Sequence, residues 1–374
     1  MFYKCTKITE LNLSFNTNNV KNMEKMFSYM EELTKLDLTT FDTSQVTTMF
    51  SMFQGCASLT SLNINLKGDN VLDTSFMFEQ CEKLTSVDFS SFDTSQVTDM
   101  SLMFANCYEL KKLDLSKFRT DKVESMSSMF RECNKLTSLD ISSFTANAVT
   151  QFSYTFKGCK ALTSINLSNF APKNLKTMFR TFQECEKLES IDLSGFKTSQ
   201  IPSIAYLFDG CRSLKSVDLN NFDTGLVQDM QGLFRECNSL EYVSINELDT
   251  SYTNNFNQMF YNCSSLKTIN LNSWDTSMVS SMKEMFYECS SLTNLDISGF
   301  TTDKVRDMSG MFKGLSSLEN LDLHTFNTKT CNNFNEIFDG CEKLTIKINR
   351  EKCETLLSHI PTYVNIEYEG ESLE

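Results

Sequence analysis

Residues 84–107 read LTSVDFSSFDTSQVTDMSLMFANC, and variants of this segment recur along the whole chain at a spacing of 25 or 26 residues. In this copy Phe104 stands three residues before Cys107. The same Phe and Cys pair occurs in nearly all of the remaining copies. Met30 and Leu315 take the place of the cysteine in two of them. A fixed period of about 20 to 50 residues is the signature of a solenoid or another repeat array. The repeat therefore decides the fold class.

Two residue types set the phase of the repeat. The cysteine position is filled by Cys5, Cys56, Cys81, Cys107, Cys133, Cys159, Cys185, Cys211, Cys237, Cys263, Cys289 and Cys341. The phenylalanine position is filled by Phe2, Phe27, Phe53, Phe78, Phe104, Phe130, Phe156, Phe182, Phe208, Phe234, Phe260, Phe286, Phe312 and Phe338. The fourteen phenylalanines predict about fourteen coils over residues 1–344. The pattern stops after Leu344, and residues 345–374 are predicted to form a C-terminal cap with a short helix and a strand.

Each coil divides into three parts. The segment L-x-x-L-D-L, as in Leu110–Leu115, alternates as a strand does, with apolar side chains inward and Asp outward. The F-D-T-S turn follows, and its Asp and Thr are expected to bond their own backbone. The segment V-T-x-M-S-x-M-F then fits a short extended piece that runs into one helical turn. We therefore predict a β-rich α/β solenoid with one parallel strand per coil and one continuous sheet along a face.

Stacked coils would bury the repeated apolar residues against one another as ladders of Phe, Leu, Met and Cys. The phased cysteines are then small buried hydrophobic residues rather than disulfides or ligands. Cys331 takes the place of the usual valine, which leaves Cys353 as the expected exposed thiol. The nineteen methionines follow the same phase and are predicted to pack in the core.

Composition excludes several functions. A net charge of −14 and a pI near 4.8 argue against nucleic acid and against docking on anionic lipid, since both need clustered Lys and Arg. No window supplies the roughly 20 apolar residues of a membrane span, and residues 1–13 lack the pattern of an export signal. There is no zinc-type Cys/His spacing, and the two histidines belong to no catalytic triad. We expect no enzyme activity, no cofactor and no metal site.

The outward strand position is the candidate interaction face. It is occupied by Asp37, Asp88, Asp114, Asp140, Asp192, Asp218, Asp296 and Asp322. Asn or Ser fills it in other coils. Stacked carboxylates about 4.8 Å apart repel by roughly 1 kcal/mol per neighbour in water, so Asp88, Asp114 and Asp140 form a local acidic strip. That strip is either a docking site for a basic partner or weakly held Ca²⁺, or a solvated face that prevents sheets from sticking together.

The repeat residues of Leu84–Cys107 resemble those of BspA-like leucine-rich repeat proteins, and more closely the bacterial surface protein 26-residue repeat family. The resemblance covers residues 1–344. It implies a right-handed leucine-rich-type solenoid, attachment to a cell surface and a role in adhesion, and it brings no catalytic residues.

Two functional hypotheses follow. The first is an adhesion or interaction module that binds protein or glycan along the strand face, at a cell surface or secreted. The second is a cytoplasmic protein-protein interaction scaffold, which the absence of an export signal and the unpaired cysteines would fit equally well.

Overall fold

The computed structural model describes residues 1–369 and divides into two compact units, Met1–Lys197 and Thr198–Glu374. Unit 1 is built from short strands joined by long series of turns. Its strands are β1 (Glu10–Leu11), β2 (Lys35–Leu38), β3 (Ser61–Ile64), β4 (Ser138–Asp140) and β5 (Ser164–Asn166).

Unit 2 repeats this construction and adds a helix. Its elements are β6 (Ser216–Asp218), β7 (Tyr242–Ser244), β8 (Thr268–Asn270), β9 (Asn294–Asp296), β10 (Asn320–Leu323), β11 (Thr345–Ile348), α1 (Glu354–Leu357) and β12 (Asn365–Tyr368). The strand β12 pairs parallel to β11, with Ile366 beside Ile346. Among residues 1–369 no helical segment has the length and apolarity that a bilayer crossing requires.

All strand pairs are parallel and in register with the repeat. Asp37 lies beside Asn63, Asp140 beside Asn166, and Asp322 beside Lys347. Each unit is therefore a parallel β-solenoid, and the predicted fold class is confirmed. The strands form several small sheets of two or three strands rather than one continuous sheet. The strands are only two to four residues long, and the coils of Asp88, Asp114 and Asp192 have none, so the predicted strand in every coil is not found there. With so few extended residues, a small change of angle between coils is enough to interrupt the ladder.

A second set of contacts between coils runs through the segment that was expected to hold a helical turn. Leu102 and Phe104 donate their amides to the carbonyl oxygens of Ser127 and Met129 in the next coil, both at 2.9 Å. The alternate residue, Met103, donates within its own coil. Leu102 has a φ of 54°, in the left-handed region. Backbone that alternates in this way cannot form a helix, and the segment instead joins successive coils through parallel bridges such as Asp99 to Ser125.

The phenylalanines form the predicted ladders in the core. Within unit 1 the ring centroids of Phe104 and Phe130 lie 5.8 Å apart, and those of Phe130 and Phe156 lie 5.6 Å apart, with nearly parallel planes. Unit 2 has the same arrangement, for example 5.6 Å between Phe260 and Phe286. These side chains are buried, as are the phased methionines. The prediction of core packing is confirmed for these phenylalanines and for seventeen of the nineteen methionines, and it was wrong for Met1 and Met278, which are exposed.

The phased cysteines are free and, apart from the half-buried Cys5, buried. The Cys107 thiol donates to the carbonyl oxygen of Phe78 at 3.1 Å, and Cys133 bonds Phe104 in the same way at 3.2 Å. Burial raises the pKa of Cys107 to about 12. The expectation that Cys353 is exposed was wrong. It is the N-cap residue of α1 and is fully buried, and its thiol lies 3.5 Å from the Phe326 carbonyl oxygen.

Candidate interaction face

The strand segment of each coil turns two side chains outward, because residues two apart lie on one side of a strand. In β4 these are Ser138 and Asp140, which flank the buried Leu139. In β8 they are Thr268 and Asn270 around Ile269. We call the outward side chains of these segments the strand face. In most coils they are short and polar, which leaves an open surface with few raised features.

The aspartates of the strand face share one local geometry. In each of them Oδ1 accepts the backbone N–H of the residue two positions later, and in unit 1 the distance is 2.8 Å for Asp88 and 2.9 Å for Asp114 and Asp140. The same bond is made by Asp37, Asp192, Asp218, Asp296 and Asp322, at 2.9 to 3.1 Å. It closes an Asx-turn, which starts the change of direction after the strand.

This turn explains why Asn replaces Asp in some coils. Asn166 and Asn270 accept the same backbone N–H, at 3.2 and 3.0 Å. An amide oxygen suffices for the turn, so the position is first of all a structural one. The turn does not need the negative charge or the second carboxylate oxygen of the aspartates, and these are the features that a partner could bind. The hydrogen bond of this turn was not predicted from the sequence.

The charge of the strand face is more mixed than the predicted acidic strip. Asp88, Asp114 and Asp140 stand in consecutive coils of unit 1 and are exposed. Hydrogen bonds from Ser116, first through its hydroxyl and then through its amide, lower the pKa of Asp114, and Lys117 lowers it further. Lys112 holds the other outward position of the same coil. These three aspartates stay ionised near neutral pH, but lysines lie among them.

The remaining aspartates are not gathered into one strip. In unit 1 the neighbour of Asp37 is Asn63, and Asp192 follows the coil of Asn166. In unit 2 Asp218 pairs with Ser244, and Asp296 with Asn270. The Asp322 carboxylate contacts the His324 ring at 2.7 Å and the Lys347 ammonium at 3.9 Å.

Unit 2 carries an open groove of about 1120 Å³ on its strand face, which sequence reasoning did not identify. Its outer lining includes Tyr242, Asn246, Asn270, Asn294, Asp296 and Asp322. Tyr242 is 58% exposed and stands where neighbouring coils have Ser216 and Thr268. That departure from the repeat was the available sequence signal. The groove offers amide and hydroxyl groups, which donate and accept hydrogen bonds, together with one aromatic surface.

No group of three or more His, Cys, Asp or Glu side chains is placed to hold a metal ion anywhere in residues 1–369. Buried thiols such as those of Cys107 and Cys133 donate to backbone carbonyls and have a raised pKa, so they are poor ligands and poor nucleophiles. The chemistry available on the strand face is hydrogen bonding, charge pairing and contact with Tyr242.

The parallel register, the buried ladders and the polar strand face define a β-solenoid repeat protein. The chain belongs to the family described as "Mycoplasma protein of unknown function, DUF285", whose model matches residues 1–86, 73–190, 176–294 and 254–360. The comparison thus supports a leucine-rich-repeat-like repeat protein. No curated protein matches the chain, and the resemblance to BspA-like proteins stays a prediction.

Several solved structures are similar at low identity. A leucine-rich repeat protein from Eubacterium ventriosum is 14% identical with a TM-score of 0.37, and the match covers 83% of each chain. A Leptospira interrogans leucine-rich repeat protein is 14% identical with a TM-score of 0.30, covering 97% of this chain and 96% of that one. In a TLR13–ssRNA13 complex the match is 16% identical with a TM-score of 0.30, and this chain spans about half of that chain, 52%. Similarity at this level assigns neither function nor partner.

Proposed function

We propose that the protein is a non-enzymatic binding module, and that its strand face holds a partner protein through many polar contacts. The observation that carries this proposal is the open groove of unit 2, lined by outward strand side chains from successive coils. Its polar groups are spread over several coils rather than gathered in a closed cavity. Such a surface suits an extended partner that contacts many coils. A small molecule would instead need an enclosed pocket.

A glycan is the second candidate partner, and Tyr242 is the specific observation that favours it. An exposed aromatic ring beside Asn and Asp side chains offers a flat apolar surface next to hydrogen-bonding groups, and a sugar ring presents the same two kinds of surface. Replacement of Tyr242 by Ser, the residue at the equivalent position Ser216, removes the ring and keeps a side chain the coil accepts. Glycan binding should fall sharply, whereas a protein partner that spans many coils should lose less.

The experiment compares binding of the purified chain to a glycan array and to a panel of immobilised extracellular and cytosolic proteins. In unit 1, Asp114→Lys with Asp140→Lys should weaken binding of a partner that uses the acidic positions. Because lysine also removes the acceptor of each Asx-turn, circular dichroism checks that the coils stay folded. Asp114→Asn with Asp140→Asn keeps the Asx-turns and removes only the charge. The matched control is Glu82→Lys with Glu124→Lys, which makes the same charge change at exposed positions off the strand face.

Unchanged binding by the Asp114 and Asp140 variants, together with unchanged binding by Tyr242→Ser, would show that the strand face is not the binding surface. Equal loss in the Glu82 and Glu124 control would point to overall charge instead.

We further propose a cell-surface or secreted location, which follows from the sequence resemblance. A cytoplasmic scaffold is the competing proposal, and the fourteen unpaired cysteines favour it, because a reducing compartment keeps thiols free. Fractionation of cells that express the native gene, combined with protease treatment of intact cells, separates the two. Digestion from outside supports the surface location, and protection until lysis supports the scaffold.

A further inference from the structure

In a repeat protein each position can be compared with the equivalent positions in other coils, so an unusual residue stands out. The position just before the buried valine of the F-D-T-S-Q-V segment is exposed and in most coils polar. It is filled by Gln45, Asn70, Gln96, Lys122, Asn174, Gln200, Lys304 and Thr330, with Ala148 as the small exception. Three consecutive coils of unit 2 break this rule with Leu226, Tyr252 and Met278, a set we call the apolar stripe.

The side chains of the apolar stripe are open to solvent. Leu226 is 54% exposed, Tyr252 61% and Met278 47%. A single exposed apolar residue needs no explanation, but three at one position of consecutive coils form a continuous surface that water solvates poorly. Tyr is enriched in the energetically important parts of protein interfaces, and Met adapts its shape to a partner.

Positive charge adjoins the apolar stripe. In the coil after Met278, Lys304 occupies the position of the stripe and Arg306 lies two residues later, so both positions carry a cation. The Lys304 ammonium lies 3.1 Å from the Met278 sulfur, so it stands against the end of the stripe. Neither cation forms an ion pair within residues 1–369. A depression of about 550 Å³ lies between Met278, Lys304 and Arg306, and the acids Asp303 and Asp307 also belong to its wall.

Two acids adjoin these cations, and in each of them one carboxylate oxygen accepts hydrogen bonds from within the chain. Asp303 accepts a hydrogen bond from the Asn327 amide at 2.6 Å, and Asp307 accepts the amide and hydroxyl of Ser309 at 2.8 and 2.6 Å. Neither acid forms an ion pair with Lys304 or Arg306, and both cations are exposed in a protein with a net charge of −14. A partner that covers the stripe and offers carboxylates at this end would gain ion pairs that the chain does not make by itself.

The spacing of the stripe identifies the shape of the partner. Successive coils of a parallel ladder lie about 4.8 Å apart, so the stripe presents an apolar side chain at about that interval. A helix laid across the coils presents one face every turn of about 5.4 Å, through residues i, i+4 and i+7. An extended strand presents one face about every 6.8 Å and drifts out of step within three coils. We infer that the stripe docks an amphipathic helix of a partner protein, with its carboxylates in the turn over Lys304 and Arg306.

The probe is a designed helical peptide of about 18 residues, with leucines at i, i+4 and i+7 and glutamates one turn later. Its affinity for the full chain is measured by titration calorimetry, beside a peptide with lysines in place of the glutamates. The full chain should bind the glutamate peptide at least about tenfold more tightly than the lysine peptide, a difference of about 1.4 kcal/mol. Replacement of the stripe by glutamine, L226Q with Y252Q and M278Q, should abolish binding of both.

Glutamine is the residue that other coils carry at this position, so the triple variant should keep its thermal stability, which circular dichroism checks. K304Q with R306T, which restores the residues of Gln96 and Thr98, should remove the preference between the two peptides. The control Y242S removes an exposed tyrosine from the strand face and should leave peptide affinity unchanged.

Three results would overturn the inference: no binding of the glutamate peptide, equal affinity for both peptides, or unaltered affinity in the triple glutamine variant. A dimer of the full chain in analytical ultracentrifugation that the triple variant loses would overturn it too, since the occupant would then be a second copy. The outcome does not depend on the strand face, which Y242S tests separately.

Discussion

The hydroxyl of Thr94 bonds both backbone groups of Arg119 in the next coil, donating to the carbonyl oxygen at 2.9 Å and accepting the N–H at 2.8 Å. Thr302 makes the same pair of bonds to Asn327, at 2.9 and 2.8 Å. The sequence led us to expect these threonines to bond their own turn, and that was wrong. The aspartate before Thr94 does so, since Asp93 accepts the Ser95 N–H at 2.8 Å, and the buried threonine joins two coils.

Thr94→Val should destabilise the fold by about 1 to 3 kcal/mol, because valine has the same shape but leaves both backbone groups of Arg119 without their partner. The urea midpoint of the purified chain measures the effect. Thr94→Ser keeps the hydroxyl and should cost much less. A loss in the serine variant with none in the valine variant would mean that the methyl contact, and not the two hydrogen bonds, matters.

Phe130→Ala should cost about 3 to 5 kcal/mol, since it opens a cavity in a ladder that is closed on both sides by Phe104 and Phe156. Phe130→Leu fills most of that space and is the matched control. Thermal unfolding followed by circular dichroism provides the measurement. A negligible change in the alanine variant would contradict the interior position of this ring.

The thiols should be inert in the folded protein and should make stability depend on alkaline pH. Burial raises the pKa of Cys107 and Cys159 to about 12, above an unfolded value of about 8.5. Because the pKa of each thiol is raised in the folded state, its contribution to stability is fully present below the unfolded pKa. That contribution is lost as the pH rises through the folded pKa. A thiol reagent at pH 8 should modify at most the half-buried Cys5, and all fourteen cysteines after denaturation. Rapid modification of several native thiols would refute their burial.

The aspartates of the strand face should make stability depend on acidic pH. Hydrogen bonds from Ser90 lower the pKa of Asp88, and those from Ser116 and Ser142 lower the pKa of Asp114 and Asp140. A lowered folded pKa gives a stabilisation present above the unfolded value of about 3.9 and lost as pH falls through the folded value.

Replacement of all three aspartates by asparagine keeps the acceptor oxygen of each Asx-turn but removes the carboxylate that takes up a proton at low pH. Stability of this variant should therefore fall less steeply below about pH 4 than that of the parent chain. Urea midpoints between pH 3 and pH 7 give the comparison. Parallel curves would show that the turns do not favour the ionised form.

The repeat made most of the core predictable. Phe104 and Cys107 recur in phase, and a side chain that recurs once per coil has to meet its equivalent in the next coil. The backbone conformation of the segment before Phe104 was not predictable in the same way. Its apolar spacing suits a helical turn, but hydrogen bonds to the neighbouring coil hold Leu102 in a left-handed conformation that periodicity does not reveal.

The candidate face was predicted as a column of residues and not as a surface. The position of Asp114 on the outside follows from strand alternation, whereas its bond to Ser116 depends on the path of the turn. Tyr242 and the apolar stripe were visible in the sequence as departures from the repeat. Only the structure shows which side chains lie beside them and how far they are exposed.

By itself the sequence determined the period, the parallel stacking and the inside or outside position of each repeated side chain, because these follow from one pattern applied many times. Only the tertiary structure decided which hydrogen bonds join the coils and where the outer surface is open, because these depend on the distance and angle between neighbouring coils. Those quantities are set by packing between residues about 26 positions apart, and no local stretch of the chain encodes them.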